Sequence, residues 1–460
     1  MRTSVFLFIL LHLVSSRGQA QQESAGHWEG DIQIAGISLA IRVDISVSSD
    51  SLRGTIDIPQ QNAVGLSLRK VRMVQHALSF ELPAGPGLAS FDGTVEGDTV
   101  WGAFRQAGMT GTFHLHRGAA ALSKPPAPKT PPLYALHEVS FPNGGVSLAG
   151  TLTIPSSRGP HPAVILLTGS GAQTRDEDIF GFKVFATLAD TLTRSGMAVL
   201  RFDDRGVGAS TGSLVESTTR DYASDARSAF TFLATHPAID RTRIGILGHS
   251  EGAVAAGLAA AEESGVAFLV LMAGPSMRGD KLILGQIKEL GPSAGMTPTE
   301  IGEQMSLQQR VYDVLRSDVG WDSLRVLLVR DGLRRSSGMD SLVRLQVEGK
   351  IRLMKSPWFR CFIDLDPAVA LRQVSVPVLA LLGEKDMQVP PAANRPIFEG
   401  LRDKEGRKNL TILVVPGANH LFQIAGTGHP GEYATLTKEF SGEFLGALIP
   451  WVAKHAGLQR

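Results

Sequence analysis

The chain has 460 residues, 43% of them hydrophobic, with 45 basic and 44 acidic side chains and a formal net charge of +1. That length calls for two or three folded units, and near-neutrality leaves no field to draw in nucleic acid or an anionic lipid surface. The lone cysteine, Cys361, permits no internal disulfide and supplies no metal framework.

The N-terminus carries Arg2, the apolar run Val5–Val14 and the small residues Gly18-Gln19-Ala20 before Gln21. This reads as a signal peptide over 1–20, too short in its apolar run to span a bilayer. No cysteine follows it for lipid attachment. The expectation is export to a periplasm or the outside, with no stable membrane insertion after cleavage.

Residues 21–120 have β texture. Ile32-Gln33-Ile34, Leu39–Val47, Gly54–Ile58 and Leu66–Val74 alternate apolar with polar residues, and Asp92-Gly93 and Glu96-Gly97-Asp98 read as turns. A small antiparallel barrel or sandwich is expected. His114 and His116 share one strand face, but no further ligand stands at metal spacing, so no metal is expected. Residues 121–132, rich in proline from Ser123 to Pro132, read as a stiff linker.

From residue 133 the rhythm changes to strands alternating with helices. Val146–Ile154 reads as an edge strand and Ala163–Thr168 as a doubly covered parallel strand. Helix Phe182–Arg194, strand Ala198–Phe202, helix Asp221–Thr235, a strand ending before Ser250 and strand Ala267–Met272 follow. Val376–Leu382 and Leu410–Val415 continue the series, and a last helix is expected over Leu436–Ala453. Such alternation implies a mainly parallel sheet with helices on both faces. Between residues 276 and 360 the strands stop and charged amphipathic helices take over; they read as a cap inserted on the side where strand ends carry a site, with a helical outgrowth far from the site as the alternative. The sheet's sequence therefore divides into 133–275 and 361–460. Trp358-Phe359 at the cap's exit can line an acyl pocket or anchor the cap.

The chemistry centres on Gly248-His249-Ser250-Glu251-Gly252, a turn between a strand and the alanine-rich helix starting at Ala253. A serine hydroxyl attacks well only when it projects from a tight turn beside a base, and Gly248 and Gly252 leave the space. Gly208-Ala209-Ser210-Thr211-Gly212 fits the same five-residue pattern but lacks the strand and helix, so Ser250 is the candidate nucleophile. His249 should pack beneath the turn. The base and its orienting acid belong at later strand ends in the order acid, then His. Asp386 follows Val376–Leu382 and His420 follows Leu410–Val415, ahead of the competitors Asp364, Asp366, His429 and His455. An oxyanion hole needs two backbone N–H groups: that of Glu251, and one from Thr168-Gly169-Ser170-Gly171, with Ser170 the choice. No phosphate or dinucleotide glycine pattern is present, and no cofactor is expected.

These motifs, with Arg175-Asp176-Glu177, Arg201–Gly212, Gly383–Asp386 and Asn419-His420-Leu421-Phe422-Gln423, resemble the α/β-hydrolase superfamily. More closely, they resemble bacterial exported carboxylesterases with an N-terminal β-domain and a helical cap. Thr168-Gly169 departs from the His-Gly usual at that point. The resemblance implies hydrolysis of a small-molecule ester through an acyl-enzyme, without cofactor or metal. A serine aminopeptidase or acyl-peptidase is the alternative within enzymes, with Glu251 or cap acids as candidate amine ligands. A non-catalytic binding protein on the same scaffold is the alternative outside them.

Overall fold

A computed structural model describes residues 25–34, 37–48, 51–58, 63–83, 88–106, 109–118, 134–335, 340–433 and 435–458. The signal peptide and the proline-rich linker lie outside the described residues. The chain forms two compact units, one of them combining the N-terminal strands with residues 325–352.

In that first unit nine strands run β1 (Gly26–Ile34), β2 (Ile37–Ser48), β3 (Ser51–Ile58), β4 (Ala63–Ser67), β5 (Arg69–Val74), β6 (Ala77–Pro83), β7 (Leu88–Glu96), β8 (Thr99–Gln106) and β9 (Met109–Arg117). They form one antiparallel sheet in the order β4-β3-β2-β1-β9-β8-β7-β6-β5, so the first strand pairs with the last. The Leu68 N–H donates to the Gly54 carbonyl at 2.9 Å, tying the β4–β5 connection back to β3. The sheet thus curls into a nearly closed barrel. Period-two alternation sends Trp28, Phe80, Phe91, Phe104 and Phe113 inward, where Phe80 stacks on Phe91 at 4.6 Å.

Two sequence readings change here. The run Leu66–Val74 is two strands broken at Leu68. Asp92-Gly93 is not a turn: Gly93 lies in β7, paired with Gly102 of β8. The reason is packing. A Cβ on Gly102 would sit 2.5 Å from the Phe113 ring and 2.3 Å from the Asp92 carbonyl oxygen, so the two glycines make room for Phe113. Gly102→Val is expected to destabilise this unit by about 1–3 kcal/mol, read as a lowered urea midpoint; an unmoved midpoint would contradict the packing argument. His114 lies under Trp101, its ring centroid 3.8 Å away, and among the described residues no cluster of His, Cys, Asp or Glu could hold a metal ion.

The second unit is an eight-stranded sheet of β10 (Tyr134–Asn143), β11 (Val146–Pro155), β12 (His161–Leu167), β13 (Ala198–Phe202), β14 (Ile239–His249), β15 (Phe268–Met272), β16 (Val378–Gly383) and β17 (Leu410–Val415). Its order is β10-β11-β13-β12-β14-β15-β16-β17. The pairs from β13 onward are parallel, and β10–β11 and β11–β13 are antiparallel. β11 is therefore not the edge strand its alternation suggests; β10 covers it.

Helices α1 (Val184–Arg194), α2 (Thr219–Ala234), α3 (Glu251–Glu262), α10 (Pro391–Glu399) and α11 (Gly442–His455) belong with these strands. Two apolar clusters form, one holding α2 and α3 residues and the other α1 and α11 residues, as a sheet covered on both faces requires. α11 starts six residues later than its apolar run suggests. Ser441 caps it through the Phe444 N–H, and the Thr437 carbonyl is taken by Gln423 Nε2 at 2.7 Å. The second unit also holds α4 (Gly279–Leu290), α5 (Pro298–Ser317), α8 (Pro357–Asp364) and the short α9 (Pro367–Leu371), whereas most of α6 (Trp321–Arg335) and α7 (Asp340–Lys355) falls in residues 325–352 of the first unit. Among the described residues no helix is long and apolar enough to cross a membrane.

The strand order sets where a site can form. The chain leaves β12 to one side for β13 and crosses to the other for β14, a switch point. The loop after β12 and the turn after β14 consequently open side by side.

Candidate active site

β14 ends in a turn with no room for side chains. A Cβ on Gly248 would meet the Gly252 carbonyl oxygen at 2.0 Å, and one on Gly252 the Leu167 carbonyl oxygen at 2.2 Å. Between them Ser250 is held at φ 54°, ψ −118°, a conformation rare for a residue with a Cβ. Its N–H is fixed to the Met272 carbonyl at 2.9 Å. Ser250 occupies the N-cap position of α3, yet its side chain makes no capping hydrogen bond. Among the described residues nothing hydrogen-bonds its Oγ, which leaves the hydroxyl unspent on structure.

Asp386 and His420 meet. His420 Nδ1 lies 2.7 Å from Asp386 Oδ2, both residues being buried. Asp386 Oδ1 accepts from the Gln388 and Val389 N–H groups, each at 2.8 Å, which fixes the carboxylate plane. The loop carrying His420 is shaped by Asn419, whose Oδ1 accepts from the Leu421 and Gln423 N–H groups. Gly383 lets the two loops touch, since a Cβ there would lie 2.4 Å from the Asn419 carbonyl oxygen. Nε2 of His420 is not hydrogen-bonded to Ser250 Oγ in this structure; such bonds commonly tighten only with substrate.

His249 packs beneath the turn, as its position suggests, and it also bridges. Its Nε2–H donates to the His420 carbonyl at 3.1 Å, and its Nδ1 faces Glu177 Oε1 at 2.8 Å. Both ring nitrogens thus face acceptors, which suits an imidazolium. Burial works against that charge, but the Glu177 carboxylate outweighs it and the pKa is raised above 6.5. A raised folded value means stability present in full below the unfolded pKa and lost as pH rises through the folded one. The unfolding free energy of the wild type relative to His249→Asn is therefore expected to shrink as pH rises above about 6.5, the ordinary imidazole value. A difference independent of pH in urea titrations would contradict the charged pair.

The loop after β12 is braced without a histidine at its start. Thr168 Oγ1 donates to Asp204 Oδ1 at 2.6 Å, and the Gly169 N–H donates to Glu177 Oε1 at 2.7 Å. The Gln173 N–H reaches Asp204 Oδ2 at 3.1 Å. Burial pushes the Asp204 carboxyl well up, and the nearby Glu177 and Glu251 carboxylates push the same way. Ser170 Oγ donates to Glu251 Oε2 at 2.7 Å. Among the described residues neither the Ser170 nor the Glu251 backbone N–H has an acceptor, whereas that of Gly169 is used.

The competing residues do other work. Ser210 Oγ accepts from the Ala149 N–H and donates to the Asp203 carbonyl. Asp364 pairs with Arg278 and Arg316, and Asp366 caps α9. His429 Nδ1 accepts from the Gly431 N–H, and His455 Nδ1 donates to the Trp451 carbonyl. Sequence reasoning missed the roles of Glu177 and Asp204. Both lie in quoted motifs, but nothing in a single sequence says that a carboxylate will be buried.

A model of the Alpha/beta hydrolase family matches residues 164–436, more than half of the chain, and the protein belongs to that family. Among curated relatives, it is similar to esterase EstD of Thermotoga maritima, 28% identical over 291 residues, 62% of this chain and 61% of the relative. It is also similar to 2,6-dihydropseudooxynicotine hydrolase of Paenarthrobacter nicotinovorans, 30% identical over 148 residues, 32% of this chain and 35% of that one. The chain thus spans less than two thirds of either relative. A solved Pyrococcus furiosus esterase is 16% identical with a TM-score of 0.43, covering 70% of this chain and 91% of its own.

Proposed function

We propose that the protein is a serine hydrolase cleaving carboxylic esters of short to medium acyl length through an acyl-enzyme. Ser250 is the nucleophile, His420 the base and Asp386 the orienting acid. The observation that carries this is a strained, uncapped serine at one strand end together with a carboxylate-bound histidine from two later strand ends.

In the proposed reaction His420 Nε2 takes the Ser250 proton as Oγ attacks the ester carbonyl, and Asp386 stabilises the imidazolium. The Glu251 and Ser170 N–H groups receive the developing oxyanion. The imidazolium then protonates the leaving alcohol. Water attacks the acyl-enzyme with His420 again as base, and the acid and free serine are released.

The aminopeptidase alternative loses its first candidate ligand. Glu251 is 3% exposed and its carboxylate already accepts three hydrogen bonds, so it offers nothing to a substrate amine. We further propose export, with a leader over 1–20, a β-domain over 21–120 joined by a linker to the hydrolase core, and residues 276–360 serving as its cap. Arg2 and the apolar run Val5–Val14 support the leader.

The test is a panel of p-nitrophenyl esters of rising acyl length beside aminoacyl p-nitroanilides. Turnover of the shorter esters and none of the anilides is expected. Turnover of the anilides alone would overturn the ester assignment.

A further inference from the structure

The two residues whose N–H groups would form the oxyanion hole, Ser170 and Glu251, are tied to each other through their side chains at 2.7 Å. The same carboxylate has two more donors. Thr219 Oγ1 at the start of α2 reaches Glu251 Oε1 at 2.6 Å, and the Trp358 indole N–H on α8 reaches it at 2.8 Å. Trp358 is itself stacked on Phe362 one turn further along α8, centroids 5.3 Å apart and planes 17° from parallel. Glu251 is buried, and among the described residues no Lys or Arg pairs with it. Its charge is therefore held by these three donors, and losing one leaves a buried carboxylate under-satisfied and free to turn.

We propose that Glu251 is a positioning residue whose side chain sets the spacing of the two oxyanion donors, and that Trp358 acts on the reaction through it. This rests on the esterase reading above. On this inference the tryptophan at the exit of the helical insertion tunes the rate of acyl transfer and leaves the choice of acyl chain unaltered. A displacement of the Ser170 loop by a fraction of an ångström weakens a hydrogen bond made to the transition state, and so lowers kcat more than it raises KM.

The experiment uses the full chain with Trp358→Phe, which keeps the ring and deletes the N–H, and Ser170→Ala, which keeps the backbone N–H and deletes the tether. Both singles, the double, Glu251→Ala and Glu251→Gln are assayed on p-nitrophenyl acetate, butyrate and octanoate, each well below its melting temperature. Each single is expected to lower kcat about tenfold on all three esters, with KM changed by less than about twofold. The double should lose much less than the product of the singles, because both act through one carboxylate. Glu251→Gln should lose less than Glu251→Ala, since a carboxamide oxygen can still accept from Thr219 and Trp358 while its NH2 donates to Ser170 Oγ.

Wild-type kcat in Trp358→Phe, a changed acyl preference at unchanged kcat, or multiplicative effects would overturn the inference while leaving the esterase reading intact. If Trp358→Phe does not fold, the comparison of Glu251→Gln with Glu251→Ala decides: equal losses overturn the inference. A wild type inert toward all three esters would remove the esterase reading, and this inference with it.

Discussion

Ser250→Ala is expected to lower kcat on a short p-nitrophenyl ester by about 10⁴–10⁶-fold, to the level supplied by binding and the oxyanion donors alone. The size follows from the proposed role: on that reading, without Oγ no acyl-enzyme would form and His420 would have no proton to take. Stability should hardly change. The serine makes no capping bond, and alanine inherits the same strained backbone, so the melting temperature is expected to stay close to that of the wild type. Retention of most activity would show that the hydrolysis arises elsewhere. A large drop in melting temperature would instead mark Ser250 as a structural residue.

Asp386→Asn is expected to cost about 10³–10⁴-fold in kcat, with the geometry intact. The direction can be derived atom by atom. Oδ1 of Asp386 accepts from two backbone N–H groups, so an asparagine must leave its oxygen there and turn its NH2 toward His420 Nδ1. Nδ1 then has to accept, which places the ring proton on Nε2 and removes the lone pair that would take the serine proton. The loss should persist across the pH range rather than shift along it. A loss under about tenfold would mean that another acid orients the base.

Much of this was legible in sequence because each signal was local. The apolar run of β12, buried at every residue, announces a covered parallel strand. The glycines around Ser250 report a turn whose clearances of 2.0 and 2.2 Å admit nothing larger. Asp386 and His420 are placed by the simple fact that each follows a strand. Other features were hidden because they depend on contacts far apart in sequence. Asp92-Gly93 has turn composition, but Phe113, twenty residues on, needs the space that Gly93 and Gly102 leave. β11 has edge-strand alternation until β10 pairs with it. Trp358 lies 107 residues from the carboxylate it holds, and Glu177 lies 72 from the histidine it charges. No periodicity encodes such pairings. Thr168 is the instructive case: a departure from the motif becomes intelligible once Asp204 is seen to take its hydroxyl and Glu177 to take the next N–H.

The most direct test is covalent. A fluorophosphonate traps a serine only where a base stands ready to remove its proton and N–H donors stabilise the product, so one reagent reports on the whole constellation. Peptide mapping after labelling is expected to place one adduct per chain on Ser250, with labelling slowed by orders of magnitude in His420→Ala. An unlabelled chain, or an adduct on Ser210 or any other serine, would contradict the central claim.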